Sequence, residues 1–336
     1  MSEVKIVANK KPNFGVWQGE ISDVDPREYR RGNLSDLWIP LREKRWQYVG
    51  IYTEDIIFGL AVFHGAYLGN IFCYLYDRKR DFLWEQERMA PMSAGIRVDR
   101  NVQTGVVSYS AEDERIRIDN QQGQGIRRID VRLKSEGRDI DIKAEIMDDG
   151  SLPAHQVVTP TADDDFTFTH KVAGLPVLGD VRLGEFRYTL NPKKDRAVID
   201  FTFGYPARRT EWNWLSMAGF SKCGKSVGVN LVNPILDTKN HENVFWIDGQ
   251  RIVTGIAHFE YDDISKSKTW KISTEDGSVD LTFTALGIRS QDVDYNILSS
   301  KFKQPFGTFH GKITHNGVVY DVEDQPGVVE EHLAVW

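Results

Sequence analysis

The sequence predicts an all-β protein built as two tandem antiparallel barrel or sandwich modules with little helix, and three observations carry that expectation. Short runs rich in aromatic and β-branched residues recur along the whole chain, split by turn residues. No stretch carries apolar residues at the i, i+3, i+4, i+7 spacing of an amphipathic helix. Similar motifs recur in the same order in the two halves.

In chain order, residues 23–32 (DVDPREYRRG) read as a charged loop and 34–45 (LSDLWIPLREKR) as a short helix or an extended approach. Strands then follow closely. WQYVGI (46–51), IIFGLAVFH (56–64) and AYLGNIFCYLY (66–76) are split by Thr53-Glu54-Asp55 and by Gly65, so consecutive antiparallel strands are expected. Farther on, Ile129, Val131, Leu133, Ile140 and Ile142 alternate with charged residues, the signature of a sheet with one wet face. Residues 149–178 carry three prolines and an acidic run and read as the passage between halves. The boundary is expected near Ala173, giving an N-terminal module of residues 1–172 and a C-terminal one of 173–336.

Trp46-Gln47-Tyr48 is matched by Trp212-Asn213-Trp214, Asn70-Ile71-Phe72 by Asn243-Val244-Phe245, and Ser110 to Asp113 by Ser273 to Asp276. The offsets stay within roughly 163 to 173 residues and keep their order, which favours a duplicated module. Asp248-Gly249, Asp276-Gly277 and Asn316-Gly317 are the dipeptides of primed two-residue hairpin turns, whose central residues both need positive φ.

Composition excludes several classes. The chain has 42 Lys and Arg against 49 Asp and Glu, a net charge of -7, and its basic residues are interspersed, so it carries no footprint for nucleic acid. The N-terminal residues are charged throughout and no apolar run could span a membrane, which predicts a cytoplasmic protein. Two cysteines without CxxC spacing fit a reducing compartment or two buried thiols. The histidines are scattered, with no HxH or HExxH pair, so no metal is expected. Gly219 to Gly228, with Lys222 and Lys225, lacks phosphate-loop spacing and reads as a hairpin; no cofactor is expected.

The unusual residues concentrate between Arg208 and Gly249: Trp212, Trp214 and Trp246, the pair Arg208-Arg209, Glu211, and Glu242-Asn243. Strand alternation puts Trp212, Trp214 and Ser216 on one face, Glu242 with Val244 and Trp246 on one face, and Asn243 with Phe245 on the other. Asp200 interrupts the apolar run AVIDFTF and shares a face with Thr202. A carboxyl facing a barrel interior has its pKa raised by desolvation, as a general acid near neutral pH requires. The alternative for Asp200 is an ion pair with Arg208 or Arg209, and for the tryptophans simple packing. The candidate site is therefore Asp200 and Glu242 as acids, with Trp212, Trp214, Trp246, Asn243 and Arg209 binding a ligand.

Several segments resemble the family known as domain of unknown function 2804: KRWQYVGIYTED, AYLGNIFCYLYDR, HKVAGLPVLGDVRLG, IDFTFGYPARRTEWNW, NHENVFWIDG, TEDGSVDLTF and PFGTFHG. That family is in turn similar to lipocalin-like two-module β proteins that include carotenoid hydratases and tocopherol cyclases. The resemblance implies a lipocalin-like protein enclosing an apolar small molecule, with acid-catalysed hydration or cyclisation as its chemistry. Two alternatives stay open: a non-catalytic carrier of a small molecule, and a carbohydrate-active enzyme using paired carboxylates.

Overall fold

The computed structural model describes residues 4–23, 29, 41–161, 165–294 and 299–335. Most of the expected N-terminal charged loop and residues 34–40 of the expected helix or approach lie outside them. Among the described residues, helix is confined to Leu41–Arg42 and a 3-10 turn, Gln122–Gln124. The rest of the regular structure is β, in a 14-stranded and a 9-stranded sheet with two small ribbons. Both large sheets curl, one nearly closing into a barrel and the other forming a half-barrel. No described helix is long and apolar enough to cross a membrane.

The two large sheets share one plan. In the first, Lys44–Tyr52 pairs with its successor Ile56–His64 and with the closing strand Arg196–Gly204. In the second, Arg209–Phe220 pairs with its successor Ser226–Asn233 and with the closing strand Val318–Val335. The Trp46 and Trp212 motifs thus occupy equivalent opening strands. The Asn70 motif lies within Leu68–Asp77, and the Asn243 motif leads into Val244–Ile247, each the third strand of its sheet. The match between Ser110 and Ser273 falls on the hairpin between the sixth and seventh strands counted from each opening strand, Val106–Ala111 with Glu114–Gln121 and Thr269–Thr274 with Val279–Asp294.

The chain leaves the first sheet at Gly204 and enters the second at Arg209. Ala173 falls inside strand Phe166–Leu183, which pairs with Arg196–Gly204. The stretch expected as a passage carries that strand and His155–Pro160; its prolines sit in or beside strands without ending the sheet. Positive φ at both central residues occurs at Asp248-Gly249 and Asn316-Gly317, but at Asp276-Gly277 only the glycine adopts it. There the Asp276 carboxylate accepts from the hydroxyls of Thr254, Thr274 and Ser278, which hold the turn in another shape. Of the two cysteines, Cys73 is buried and Cys223 exposed.

Each sheet buries both faces near its opening and closing strands. Leu215, Met217, Val229, Phe245, Phe309 and Val329 form a core belonging to the second module alone. The opposite face of the same strands, with Trp214, Ala218, Val244, Trp246 and Val328, packs into the core of the first module. Arg196–Gly204 is accordingly buried at every position. The sheets approach closely at Gly228, where a Cβ would lie 2.2 Å from the Ala173 carbonyl oxygen.

That contact generates a prediction. Gly228→Ala should lower stability by about 1–3 kcal/mol, because neither backbone can yield to the added methyl without separating the modules. Urea denaturation at constant m-value measures it, and an unchanged midpoint would mean that the modules do not depend on this approach.

Candidate functional site

The sheets do not meet along their whole facing surfaces, and a cavity of about 590 Å³ lies between them. Register explains its walls. On the first sheet Thr169, Thr202, Trp46, Phe63, Asn70 and Met89 stand side by side across six strands. The next inward row is Lys171, Asp200, Tyr48, Ala61 and Phe72. On the second sheet Trp212, His332, Phe302 and Gln291 form one row, with Trp214 and Glu330 in the next. All these side chains line the cavity. It is therefore an inter-module space, and the interior of the second barrel is filled by its own core.

Two acidic centres face this space. In the first, the Lys171 ammonium contacts Asp200 Oδ2 and lies 3.1 Å from Glu242 Oε2. Burial opposes the ammonium, but the two carboxylates outweigh it and hold its pKa above the ordinary lysine value. Burial also pushes the Asp200 carboxyl up; Lys171 opposes the rise and Glu242 adds to it. The Nζ lies 5.7 Å from the ring centre of Trp214. That indole donates to Asn230 Oδ1 at 2.8 Å and meets Tyr48 edge-on.

The second centre is Glu330, which accepts from Trp212 Nε1 and Gln304 Nε2, each at 2.9 Å. Burial raises its carboxyl to about 7, against the pull of those two donors. His332, 4.4 Å from the Trp212 ring centre, accepts or donates at Ser300 Oγ, 2.9 Å away. Burial lowers its pKa to about 3, with Arg289 acting in the same direction, so the ring is neutral in ordinary buffers.

Of the residues singled out from the sequence, Asp200, Glu242, Trp212, Trp214 and Arg209 line the cavity. Arg209 stands at its rim, paired with Glu211 at 3.5 Å in solvent, a contact of little energetic weight. Trp246 and Asn243 lie elsewhere. Trp246 is packed between the modules and donates to the Pro153 carbonyl at 2.7 Å. Asn243 ties Val232 to Gly255 as a turn-holding amide. Alternation could not place Glu242, because Val244–Ile247 begins after it and parity has no meaning in the preceding turn. The ion partner of Asp200 is Lys171 and not an arginine.

Lys171, Gln304, Glu330 and His332 were not singled out from the sequence. The available signals were a lysine within the long apolar strand Phe166–Leu183 and an acid alternating with Val328 on the last strand. Both are charges at positions where alternation demands apolar residues.

Fold and site define a two-module, lipocalin-like β protein with an aromatic inter-module cavity. The chain belongs to the family described as domain of unknown function 2804, whose profile matches residues 9–336. It is similar in fold to CghA, solved with Sch210972, at a TM-score of 0.57 and 12% identity, covering 88% of this chain and 89% of that one. It is also similar to kievitone hydratase from Nectria haematococca, at a TM-score of 0.51 and 10% identity, covering 87% and 88% respectively. No curated protein sequence matches the chain significantly.

Lys171→Met should destabilise the protein by about 3–5 kcal/mol at pH 7, since it strands two carboxylates in the interface. Protonation of Asp200, whose carboxyl burial pushes up, relieves part of that cost, so the loss should shrink toward pH 5. Denaturant midpoints at the two pH values measure it; an equal loss at both would argue against a charge origin.

Proposed function

We propose that this protein encloses an apolar small molecule between its modules and catalyses proton-initiated addition of water to, or cyclisation at, an electron-rich C=C bond. The observation that carries this reading is the placement of a carboxyl with a pKa of about 7 in an aromatic-walled cavity beside a second, lysine-clamped carboxylate pair. The volume is within the range of sites for small organic ligands. Glu330 gives its proton to one alkene carbon and a cation develops at the other. Indole and phenyl faces stabilise it, and the Lys171–Asp200–Glu242 cluster, with one positive and two negative charges, offsets it. In hydration, water forms the new C–O bond and its proton passes to the cluster and back to Glu330. In cyclisation, a second double bond attacks the cation, and the carbon next to the new cationic centre loses a proton to the cluster, which returns it to Glu330. Neither route needs an oxidant or a cofactor. One of the solved structures similar in fold is a hydratase, which agrees with this class of chemistry.

A glycosidase-type reading finds less support. Asp200 and Glu242 share one ammonium, which removes the free nucleophile that a retaining mechanism requires. A carrier without catalysis is the outcome if turnover is never found.

The test begins with mass spectrometry of organic extracts of the purified protein, followed by incubation of the recovered compound in H2(18)O to detect a gain of water. Glu330→Gln should lower turnover by about 10²–10⁴-fold while the compound is still bound. In the wild type, turnover should decline as pH rises through about 7, where Glu330 loses its proton. Full activity in the Gln variant would remove Glu330 from the reaction.

The same shift has a stability consequence. Between pH 4.5 and about 7 the folded chain keeps a proton on Glu330 that the unfolded chain has lost, so stability falls with rising pH in that window. The ceiling is about 3 kcal/mol at one proton and 1.36 kcal/mol per pKa unit. Glu330→Gln should flatten this slope, as urea denaturation across the window would show.

A further inference from the structure

Polar groups line the cavity on both sheets, and four of them on the first sheet stand together. Thr169 and Thr202 are direct cross-strand neighbours, and Lys171 and Asp200 form the next inward-facing pair of the same two strands. These four side chains make one contiguous polar ledge across two paired strands. The hydroxyls of Thr169 and Thr202 and Oδ1 of Asp200 are buried, line the cavity and have no hydrogen-bond partner in the protein. Thr169 is 2% exposed, Thr202 3% and Asp200 7%. A buried polar atom left without a partner costs free energy comparable to a lost hydrogen bond, so three on one ledge point to a group supplied from outside the chain.

The atoms specify that group. Each threonine hydroxyl can donate and accept, whereas Asp200 Oδ1 beside a protonated lysine only accepts. The incoming group must therefore bring a donor for Asp200, and a lone pair lets it take a hydrogen bond from a threonine as well. A hydroxyl does both; an ether oxygen cannot donate. A carboxylate cannot donate either, and it meets a cluster whose formal charge, with Lys171 against Asp200 and Glu242, is already negative.

We propose that the Thr169–Thr202–Asp200 ledge is a hydroxyl-recognition subsite, so that the ligand of this cavity is a neutral apolar molecule bearing an alcohol or phenol group. The proposal rests on the reading that the cavity holds an apolar molecule and adds the polar feature of that molecule and its orientation. The hydroxyl end lies on the first sheet, and the hydrocarbon extends toward Trp212 and Phe302 on the second. For an enzyme that adds water across a double bond, the ledge would also seat the hydroxyl of the product.

Three matched probes test it at pH 7: 4-octylphenol, its methyl ether 4-octylanisole, and 4-octylbenzoate, each titrated against the full-length protein by calorimetry. The phenol should bind about ten-fold more tightly than the ether, the worth of one well-made buried hydrogen bond, and the benzoate should bind more weakly than either. The double variant Thr169→Val with Thr202→Val should abolish the preference for the phenol while leaving the ether within about three-fold of wild type, since the exchange removes hydroxyls at nearly constant volume. Thr202→Ser, which keeps a hydroxyl, should retain the preference and serves if the double variant does not fold. Equal binding of phenol and ether to the wild type, or tightest binding of the benzoate, overturns the hydroxyl subsite and leaves the apolar cavity standing. Failure of all three probes to bind overturns both readings. The thermal midpoint of Thr202→Val without ligand should equal or exceed that of wild type; a drop of several degrees would assign the hydroxyl a protein partner and overturn the proposal.

Discussion

A buried ammonium holds the two modules in relation to each other. Lys171 and Asp200 belong to the first sheet, and Glu242 comes from a turn of the second, so the ion cluster crosses the interface. Removing one such charge from water costs several kcal/mol, and only close opposite charges and hydrogen bonds recover it. The cluster can form only when the modules stand at one separation and one rotation. Directional contacts around it fix the same geometry, among them His155 Nε2 with the His241 carbonyl and Arg289 with Glu87. The charge balance of the cluster also governs what lies beside it. Two carboxylates on one lysine leave a net negative site, and a further ionised acid nearby is disfavoured. Burial above all makes Glu330 keep its proton to higher pH; Asp200 adds to that rise and Lys171 opposes it.

A cavity between modules demands strands that are buried on both faces, and this determines how much the sequence reveals. From 114 to 147 the strands have a solvent face, their alternation is plain, and Glu114–Gln121, Ile126–Leu133 and Ile140–Met147 can be read directly. Arg196–Gly204 is buried throughout and reads as an unbroken apolar run, so alternation cannot say which face meets the partner sheet. The crossing from Gly204 to Arg209 is equally unmarked, since only four residues separate the two strands and no long polar linker joins them.

The candidate site was legible where a single strand carries the information. Trp212 and Trp214 project from one face, as their spacing requires, and Asp200 shares a face with Thr202. It was illegible where the chemistry depends on partners distant in the chain. Asp200 acquires its role from Lys171 and from Glu242, and Glu330 from Trp212, more than a hundred positions earlier. Trp246 shows the opposite failure. It has the right residue type in the right stretch, but its strand stands against Pro153, where the sheets are in contact and no space remains.

The duplication accounts for why two acids face the cavity and why they differ. Tyr48 and Trp214 occupy equivalent places in the repeated motif and meet edge-on across the interface, 5.4 Å between ring centres. Asp200 stands opposite Tyr48 on the closing strand of the first sheet, and Glu330 stands opposite Trp214 on the closing strand of the second. The two carboxyls are therefore counterparts in the two modules. Their neighbours on the adjacent strands have diverged: Asp200 faces Lys171, while Glu330 receives the amide of Gln304. An ammonium draws a carboxyl toward its charged form, whereas an amide donates a hydrogen bond without bringing charge. Equivalent places in the two sheets thus hold an anionic clamp in one module and an acid that keeps its proton to about pH 7 in the other. A symmetric pair of clamped carboxylates would have bound positive charge but could not have supplied a proton; the exchange of one cation for one amide separates the two roles.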